Sequence, residues 1–406
     1  MTDAIYTRLR QALGDSAVRR DGFGTPRAIP PSSEAVAEIC GLAHEQGWRV
    51  RVEGQGTWMP PDAPADLALS TGGLDRIAEI APADLVATVE AGVGLGRLGI
   101  ELARRGAWLP LDPPGLPRRS LGSLVATGTA GPLRHGFGPV RDHLLGATFV
   151  TGDGRVLTAG GKVVKNVAGY DLTRLQVGAF GAFGVVTRVH IRLRALSAAR
   201  VMLMAIGPRD ALTRQARSLM DGGLSAAALE LRSPGPGGGP DWSLGLELAG
   251  TEAGVEAEAA RSTSQSEVAW TRLDPDRAAR FRSEVALAPL TAPTTFRIGV
   301  LPDGLDEMLD VLEGRLGPGV ISAGPGRGLV RWSGEPTFEA LRDLRGIAAE
   351  REMPLTLERG PWDLRQAIGH FGAYREGVGP LVSRLRETFD PDPTFAVALG
   401  PGKTEP

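Results

Sequence analysis

The sequence predicts an α+β protein: a glycine-rich first half in two subdomains, then a duplicated antiparallel unit, then a short helical tail. Three observations carry that expectation. The chain has 406 residues, more than one ordinary core holds and enough for two or three domains. Glycine- and threonine-dense segments recur up to residue 197 and then give way. Beyond Ala198 the apolar pattern takes the order β-α-β-β-α-β, twice over, which is the ferredoxin-like order.

The first subdomain, about residues 1–95, opens on the amphipathic helix "MTDAIYTRLRQALG". A second helix over 33–46 follows, with Ser32 or Ser33 as its N-cap. Strand Trp48–Val52 leads into the glycine turn "EGQGT", and short strands follow near Leu67–Ser70 and Leu85–Glu90. The second subdomain, 96–197, alternates turns and strands and ends in the period-two run "GVVTRVHIRLR". In 198–361, strand "RVMLMAI", helix "PRDALTRQARSLMDG", strands "SAAALELR" and "WSLGLELAG" around the loop "SPGPGGGPD", helix "EAGVEAEAARS" and strand "EVAWTRL" form one unit. After a helical connector near Asp276–Val285 the order recurs from "TTFRIGV" to "PLTLERG". Two such units can share one sheet with helices on one face. Residues 362–406 read as helix "GPLVSRLRETF" and an extended tail.

Composition narrows the function. A net charge of −2 provides no basic field for nucleic acid or an anionic membrane surface. Direct membrane insertion is not expected, since no run of ~18 apolar residues occurs, and the N-terminus lacks the apolar centre of a signal peptide. The single cysteine, Cys40, excludes an internal disulfide, a cysteine zinc site and a cysteine-ligated iron–sulfur cluster. It falls in the 33–46 helical pattern and is expected to be a buried structural thiol. These features read as cytoplasmic.

Four segments are candidates for ligand binding. "GVGLGRLG" places Gly94, Gly96 and Gly99 in a dinucleotide fingerprint with Asp112 eighteen positions beyond Gly94, but its helix is short and no further βαβ units follow. Turn and helix packing explain those glycines better. "RVEGQGT" can direct successive amides into one concavity and hold a phosphate without lysine. "RRSLGSLVATGTAGPLRHGFGPVRDHLLG" is too small-residued to fill a core, yet lets main chain lie flat on a ligand. The last, "GGKVVKNVAGYDLTRLQVGAFGAFGVVTRVHIRL", repeats glycine at 178, 181 and 184 inside an apolar run. Three glycine-dense segments far apart in sequence point to one extended ligand, such as a pyrophosphate cofactor with a flat ring system. Separate turns remain the simpler reading of each alone.

These residues resemble the FAD-linked oxidase family of vanillyl-alcohol oxidase type, with its PCMH-type FAD-binding domain. Within it they are most similar to the FAD-binding subunits of bacterial glycolate oxidases. The likeness rests on "EGQGT", "LDP" with "SLGSLVATGTAG", "GDGRVLTAGGKVVK" with "KNVAGYDLTRL", and "FDPDPTF". It covers about residues 25–197 well and the rest in layout only. The resemblance implies a PCMH-type domain over 1–197 and a cap of two ferredoxin-like units over 198–361. It implies that Gly54, Gln55, Gly56 and Thr57 take the pyrophosphate and that Pro113 sits beside the isoalloxazine. Ser120, Gly122, Ser123, Thr127, Gly128, Thr129 and Ala130 would follow the cofactor, Gly184, Val185 and Val186 its adenine or ribose side, and Asp142 would be structural or close to it. Two departures stand out. The family's Gly-Ser-Glu-Gly-Thr-Leu-Gly appears as Gly178-Ala179-Phe180-Gly181-Ala182-Phe183-Gly184, without its polar side chains. The family's C-terminal Asn-Pro-Gly is missing from "FDPDPTFAVALGPG".

Oxidation of a 2-hydroxy acid needs a base, a cation for the carboxylate and a hydride acceptor. Of the five histidines, His44 and His190 read as structural, His135 and His143 fall in the flavin-domain motif, and His370 is the cap-side candidate for a catalytic base. A solvated or capping role is its plainer reading. No His-x-His pair occurs, so no metal site is expected. Arg327, Arg331, Arg359 and Arg365 are possible carboxylate forks that read mostly as surface charge in an arginine-rich chain. "EGQGTWMPPD" holds no histidine or cysteine to attach a flavin, so FAD is expected to be non-covalent. Three functions compete. The resemblance implies a glycolate oxidase (glycolate dehydrogenase) subunit that works with a second FAD subunit and an iron–sulfur subunit on a small 2-hydroxy acid. A self-sufficient FAD-dependent oxidoreductase of another hydroxylated substrate is the second. A degenerate, non-catalytic flavin-fold scaffold is the third.

Overall fold

The computed structural model describes residues 2–162, 170–264, 266–372 and 374–400. Most of "KVVKNVAGY" thus lies outside the described residues. The first sheet has the order Val18–Arg20, Pro26–Ala28, Leu67–Ser70, Val50–Glu53, its last three strands parallel. Helices Thr2–Leu13 and Ser33–Gln46 cover it, and Ile5, Leu9, Val36, Ile39 and Cys40 share one core with Val50, Leu67 and Leu69. Ser32 is the N-cap, accepting from the Ala35 amide, and Gly47 ends the helix in a left-handed conformation. That cap takes up Trp48, so the following strand runs Val50–Glu53 and not Trp48–Val52. Burial raises the Cys40 thiol far above its ordinary pKa, as befits a structural thiol.

The second sheet is antiparallel, in the order Ile77–Ala81, Val86–Glu90, Val185–Arg192, Leu144–Val150, Val156–Gly160. Its central strand buries Val185, Val189 and Ile191 on alternate positions, as its period-two pattern requires. Helices Leu95–Ala103 and Leu121–Thr127 pack beside it.

One eight-stranded antiparallel sheet occupies the rest. Its order is Trp270–Arg272, Ala199–Gly207, Trp242–Gly250, Ala228–Arg232, Gly319–Gly324, Leu329–Gly334, Thr294–Gly299, Leu355–Arg359. Each half is a ferredoxin-like unit, and the halves meet through their second strands, where Leu231 faces Ala323 and Arg232 faces Ser322. Leu203, Leu229, Leu244, Phe296, Val330 and Leu357 point to one face, under helices Arg209–Asp221, Glu252–Ser264, Leu305–Arg315 and Phe338–Glu350. The connector is longer than expected, Pro275–Thr291, and packs on the opposite face. There the Phe281 ring lies on the backbone of Gly245, where a Cβ would stand 2.5 Å from the ring.

The tail is also more ordered than its composition implies. Helices Trp362–Ile368 and Val378–Phe389 precede a return to the first sheet, where Thr394 and Ala396 bracket Val50 with backbone hydrogen bonds of 2.7 and 2.9 Å. Among the described residues no helix is long and apolar enough to cross a membrane.

Candidate functional site

A cleft opens where the two N-terminal sheets meet the tail. Its wall includes residues 51–61, Ala63, Thr71, Gly122, Ser123, Ala126, Thr127, Phe180, Gly181, Gly184–Val186, Arg365, His370, Ala396 and Val397. Three of the glycine-dense segments therefore converge on one space.

The turn after Val50–Glu53 presents backbone to that space because its side chains are tied elsewhere. Gln55 Nε2 donates to the Gly92 carbonyl at 2.7 Å and Thr57 Oγ1 to the Arg118 carbonyl at 2.8 Å. Among the described residues the amides of Gln55, Gly56 and Thr57 have no acceptor. Gly54 is held by close approach, since a Cβ there would stand 2.2 Å from Ser120 Oγ. Gly56 differs: its φ is +68°, and an added Cβ would meet only Arg27 Nη2 at 4.0 Å. Gly181, at φ +81°, likewise has nothing within 4 Å of an added Cβ. These two glycines border open space and the others border protein. A row of unpaired amides beside such a space suits an anion.

Helix Leu121–Thr127 supplies the facing wall. Ser120 caps it by accepting from the Ser123 amide, and Gly122 lets it press on Ala91, whose carbonyl would lie 3.0 Å from an added Cβ. At the far end Phe180, at φ +52°, stacks on His370 with ring centroids 3.9 Å apart. His370 is 2% exposed, neither solvated nor capping. Its Nδ1 lies 2.7 Å from the Leu357 carbonyl, which can only accept, so Nδ1 carries the proton and Nε2 is left as an acceptor. Burial, opposed by that hydrogen bond, lowers its pKa to about 4. A neutral imidazole this weakly basic takes up a proton poorly near pH 7.

Charge around the cleft is largely matched. Arg51 bonds Asp21 at 2.6 Å and Glu53 at 2.8 Å, and Arg365 pairs with Asp62. Arg365 was read as surface charge, yet it is buried and lines the cleft. Trp58, which follows the turn, donates its indole N–H to the Glu358 carbonyl at 3.1 Å.

Pro113, Ser120, Gly128, Thr129, Ala130 and Asp142 are not on the cleft wall. Pro113 is buried beneath it, and Asp142 sits half-exposed in the Val140–Asp142 turn, 3.7 Å from Arg141. The 128–131 backbone is covered by the polar face of the cap sheet. Arg297 reaches the Gly128 carbonyl at 3.5 Å, Arg331 the Ala130 carbonyl at 3.0 Å, and Arg327 the Gly131 carbonyl. Arg297 and Arg331 share Glu358 at 2.6 and 2.7 Å, and Arg327 binds Glu230 at 2.6 Å. Burial pushes the Glu358 carboxyl up, but the two arginines outweigh it and hold the pKa at about 2. Arg327 and Arg331 thus brace the seam between the cap sheet and the 128–131 loop and are not surface charges. Beside them the Asp112 carboxyl is pushed up to about 7 by burial, partly offset by the Leu133 amide. Asp112 takes no part in a dinucleotide site. Gly96, from the same fingerprint, packs on Pro117, which an added Cβ would meet at 2.4 Å.

Sequence reasoning missed Trp58, Ala126, Phe180, Ala396 and Val397 as cleft residues. Phe180 lay in a segment already singled out; the tail residues carried no signal.

The chain matches the model of an FAD binding domain over residues 27–160. It is 31% identical over 332 residues to glycolate oxidase subunit GlcE of Escherichia coli, covering 77% of this chain and 81% of that protein. It is also similar to a D-lactate dehydrogenase of Archaeoglobus fulgidus (34% identity, 40% of this chain, 37% of that one). Glycolate oxidase subunit GlcD of Bacillus subtilis is 29% identical, over 44% of this chain and 38% of that one. A solved alkyldihydroxyacetonephosphate synthase shares the fold at TM-score 0.70 and 15% identity, over 92% of this chain and 75% of that one.

Proposed function

Because the chain belongs to the FAD-linked oxidoreductase family with a PCMH-type FAD-binding domain, we propose that it is the FAD-binding subunit of a glycolate oxidase complex. In this reading it serves oxidation of glycolate or a similar 2-hydroxy acid to the 2-oxo acid, in the cytoplasm. Electrons pass to partner subunits, a second FAD subunit and an iron–sulfur subunit. The observation that carries it is likeness to GlcE over 81% of that protein, so both the cofactor half and the cap enter the match.

The residues fit FAD. The acceptor-free amides of Gln55, Gly56 and Thr57 would hold the diphosphate, and the open sides of Gly56 and Gly181 let the cofactor approach backbone. Val185 and Val186 would border the adenine side. FAD, when bound, supplies the acceptor for the two electrons released as the carbinol becomes a carbonyl. The hydroxyl proton needs a base. His370 lines the cleft but is weakly basic, and the cap arginines nearest the 128–131 loop already hold Glu358 and Glu230. We therefore assign His370 to supporting Phe180, and the proton transfer to a partner subunit.

The test is anaerobic reduction of the purified chain by glycolate, alone and with its partners. The isolated chain is expected to carry FAD, to bleach slowly, and to turn over once the partners are added. Fast bleaching of the lone chain, abolished by His370→Ala, would instead make it self-sufficient. A correctly folded chain without flavin would favour the scaffold.

A further inference from the structure

Arg119 is fully buried, and among the described residues no carboxylate oxygen lies within 4.0 Å of it. Its Nη atoms donate to neutral groups only: the Pro114 carbonyl at 3.3 Å, the Ser123 carbonyl and hydroxyl at 3.2 Å each, and Thr127 Oγ1 at 2.6 Å. Its Nε has no partner. The guanidinium lies over the Trp58 ring, 4.4 Å from the centroid. The carboxylate that acts on it most is Glu358, which is already divided between Arg297 and Arg331. A buried cation without an anion is costly. Arg51 and Arg365, the arginines on the cleft wall, are both neutralised by carboxylates. Arg119 is not, although three of the residues it touches, Ser123, Thr127 and Trp58, line the cleft.

We propose that Arg119 is the counter-cation of bound FAD, its charge matched by negative charge the cofactor brings. The turn over 54–57 offers the cofactor dipoles but no formal charge, and Arg27 beside Gly56 is already paired with Glu53 at 3.2 Å. Two parts of FAD can provide the anion: the diphosphate, in every redox state, and the ring system once it is reduced. The inference rests on the FAD reading above.

Apoprotein titrated with FAD, and the reduction potential of the loaded protein, separate these sources. Arg119→Met removes the charge, and Arg119→Gln removes it while keeping donors for Thr127 and Ser123. If the diphosphate is the partner, both variants bind oxidised FAD at least about tenfold more weakly. If the reduced ring is the partner, oxidised FAD binds as before and the potential falls, with reduced FAD held about tenfold more weakly. Arg119→Lys is expected to recover part of either loss. In both cases the apo variants melt at or above the wild-type temperature, because an unmatched buried charge has been removed. The proposal is overturned if affinity and potential both stay within about twofold of wild type, or if neither apo variant folds. A wild-type chain that binds no FAD would sink the family reading and not this assignment alone.

Discussion

On the proposed reading Gly56 matters more to the site than to the fold. Its left-handed φ of +68° is strained for any other side chain, and the space beside it holds only Arg27 Nη2 at 4.0 Å. Gly56→Val is therefore expected to cost the apoprotein about 1–2 kcal/mol through backbone strain while its branched side chain fills the diphosphate space. Flavin content after gel filtration should fall to background although the circular dichroism spectrum stays native. Gly96→Val should do the reverse, damaging the fold through its clash with Pro117 at 2.4 Å. Full flavin content in folded Gly56→Val would remove the 54–57 turn from the site. The turn drew attention only together with the other glycine-dense segments and the family resemblance, since alone it reads as an ordinary turn. Trp58 and Arg119 drew none, since neither residue type announces a binding role and their meeting depends on two segments about sixty positions apart.

At the scale of elements, the loop "SPGPGGGPD" joins adjacent antiparallel strands, Ala228–Arg232 and Trp242–Gly250. Residues 236–241 are exposed, whereas Ser233 is buried and its hydroxyl accepts the Ile321 amide at 2.8 Å. Replacing 235–239 by a tighter turn while keeping Ser233 is expected to leave flavin content unchanged, as measured by absorbance on the purified chain. Loss of flavin would mean that the loop reaches the cofactor half. The strands themselves were readable from alternation, and so was their duplicated order. What alternation hid is the destination of their polar positions. Arg331 reads as surface charge, yet it is 2% exposed and its partner Glu358 is 0% exposed. A strand pattern reports which residues avoid the apolar core; it does not report that another domain's backbone will cover the remainder.

Across the whole molecule, that covered face joins the cap to the cofactor half. Glu358 pairs with both Arg297 and Arg331, which in turn hold the carbonyls of Gly128 and Ala130. Glu358→Gln leaves the buried Arg331 and the half-buried Arg297 without their anion, and is expected to cost about 3–5 kcal/mol, measured by denaturant unfolding at pH 7. The pH dependence has a definite sign. The Glu358 pKa is depressed to about 2 in the folded chain, so its contribution is complete above the ordinary glutamate pKa of about 4.3 and fades as pH falls from there towards 2. A wild-type stability that does not decline in that window, or a variant as stable as wild type, would show the seam to be held by packing alone.

The return of the tail to Val50 has a consequence for how the protein is made. Thr394 and Ala396 complete the edge of a sheet whose other strands lie within the first 70 residues, and Arg365, His370, Ala396 and Val397 close the cleft that the turn over 54–57 begins. The cofactor half emerges first from the ribosome but cannot be finished until the last segment has followed it. Its apolar edge must wait through synthesis of the entire cap, a long-range closure of the kind that slows folding and exposes intermediates. If the cleft is the flavin site, as proposed, loading is thereby made a late event, and a nascent chain stalled anywhere short of residue 394 would be left without a finished place to keep it.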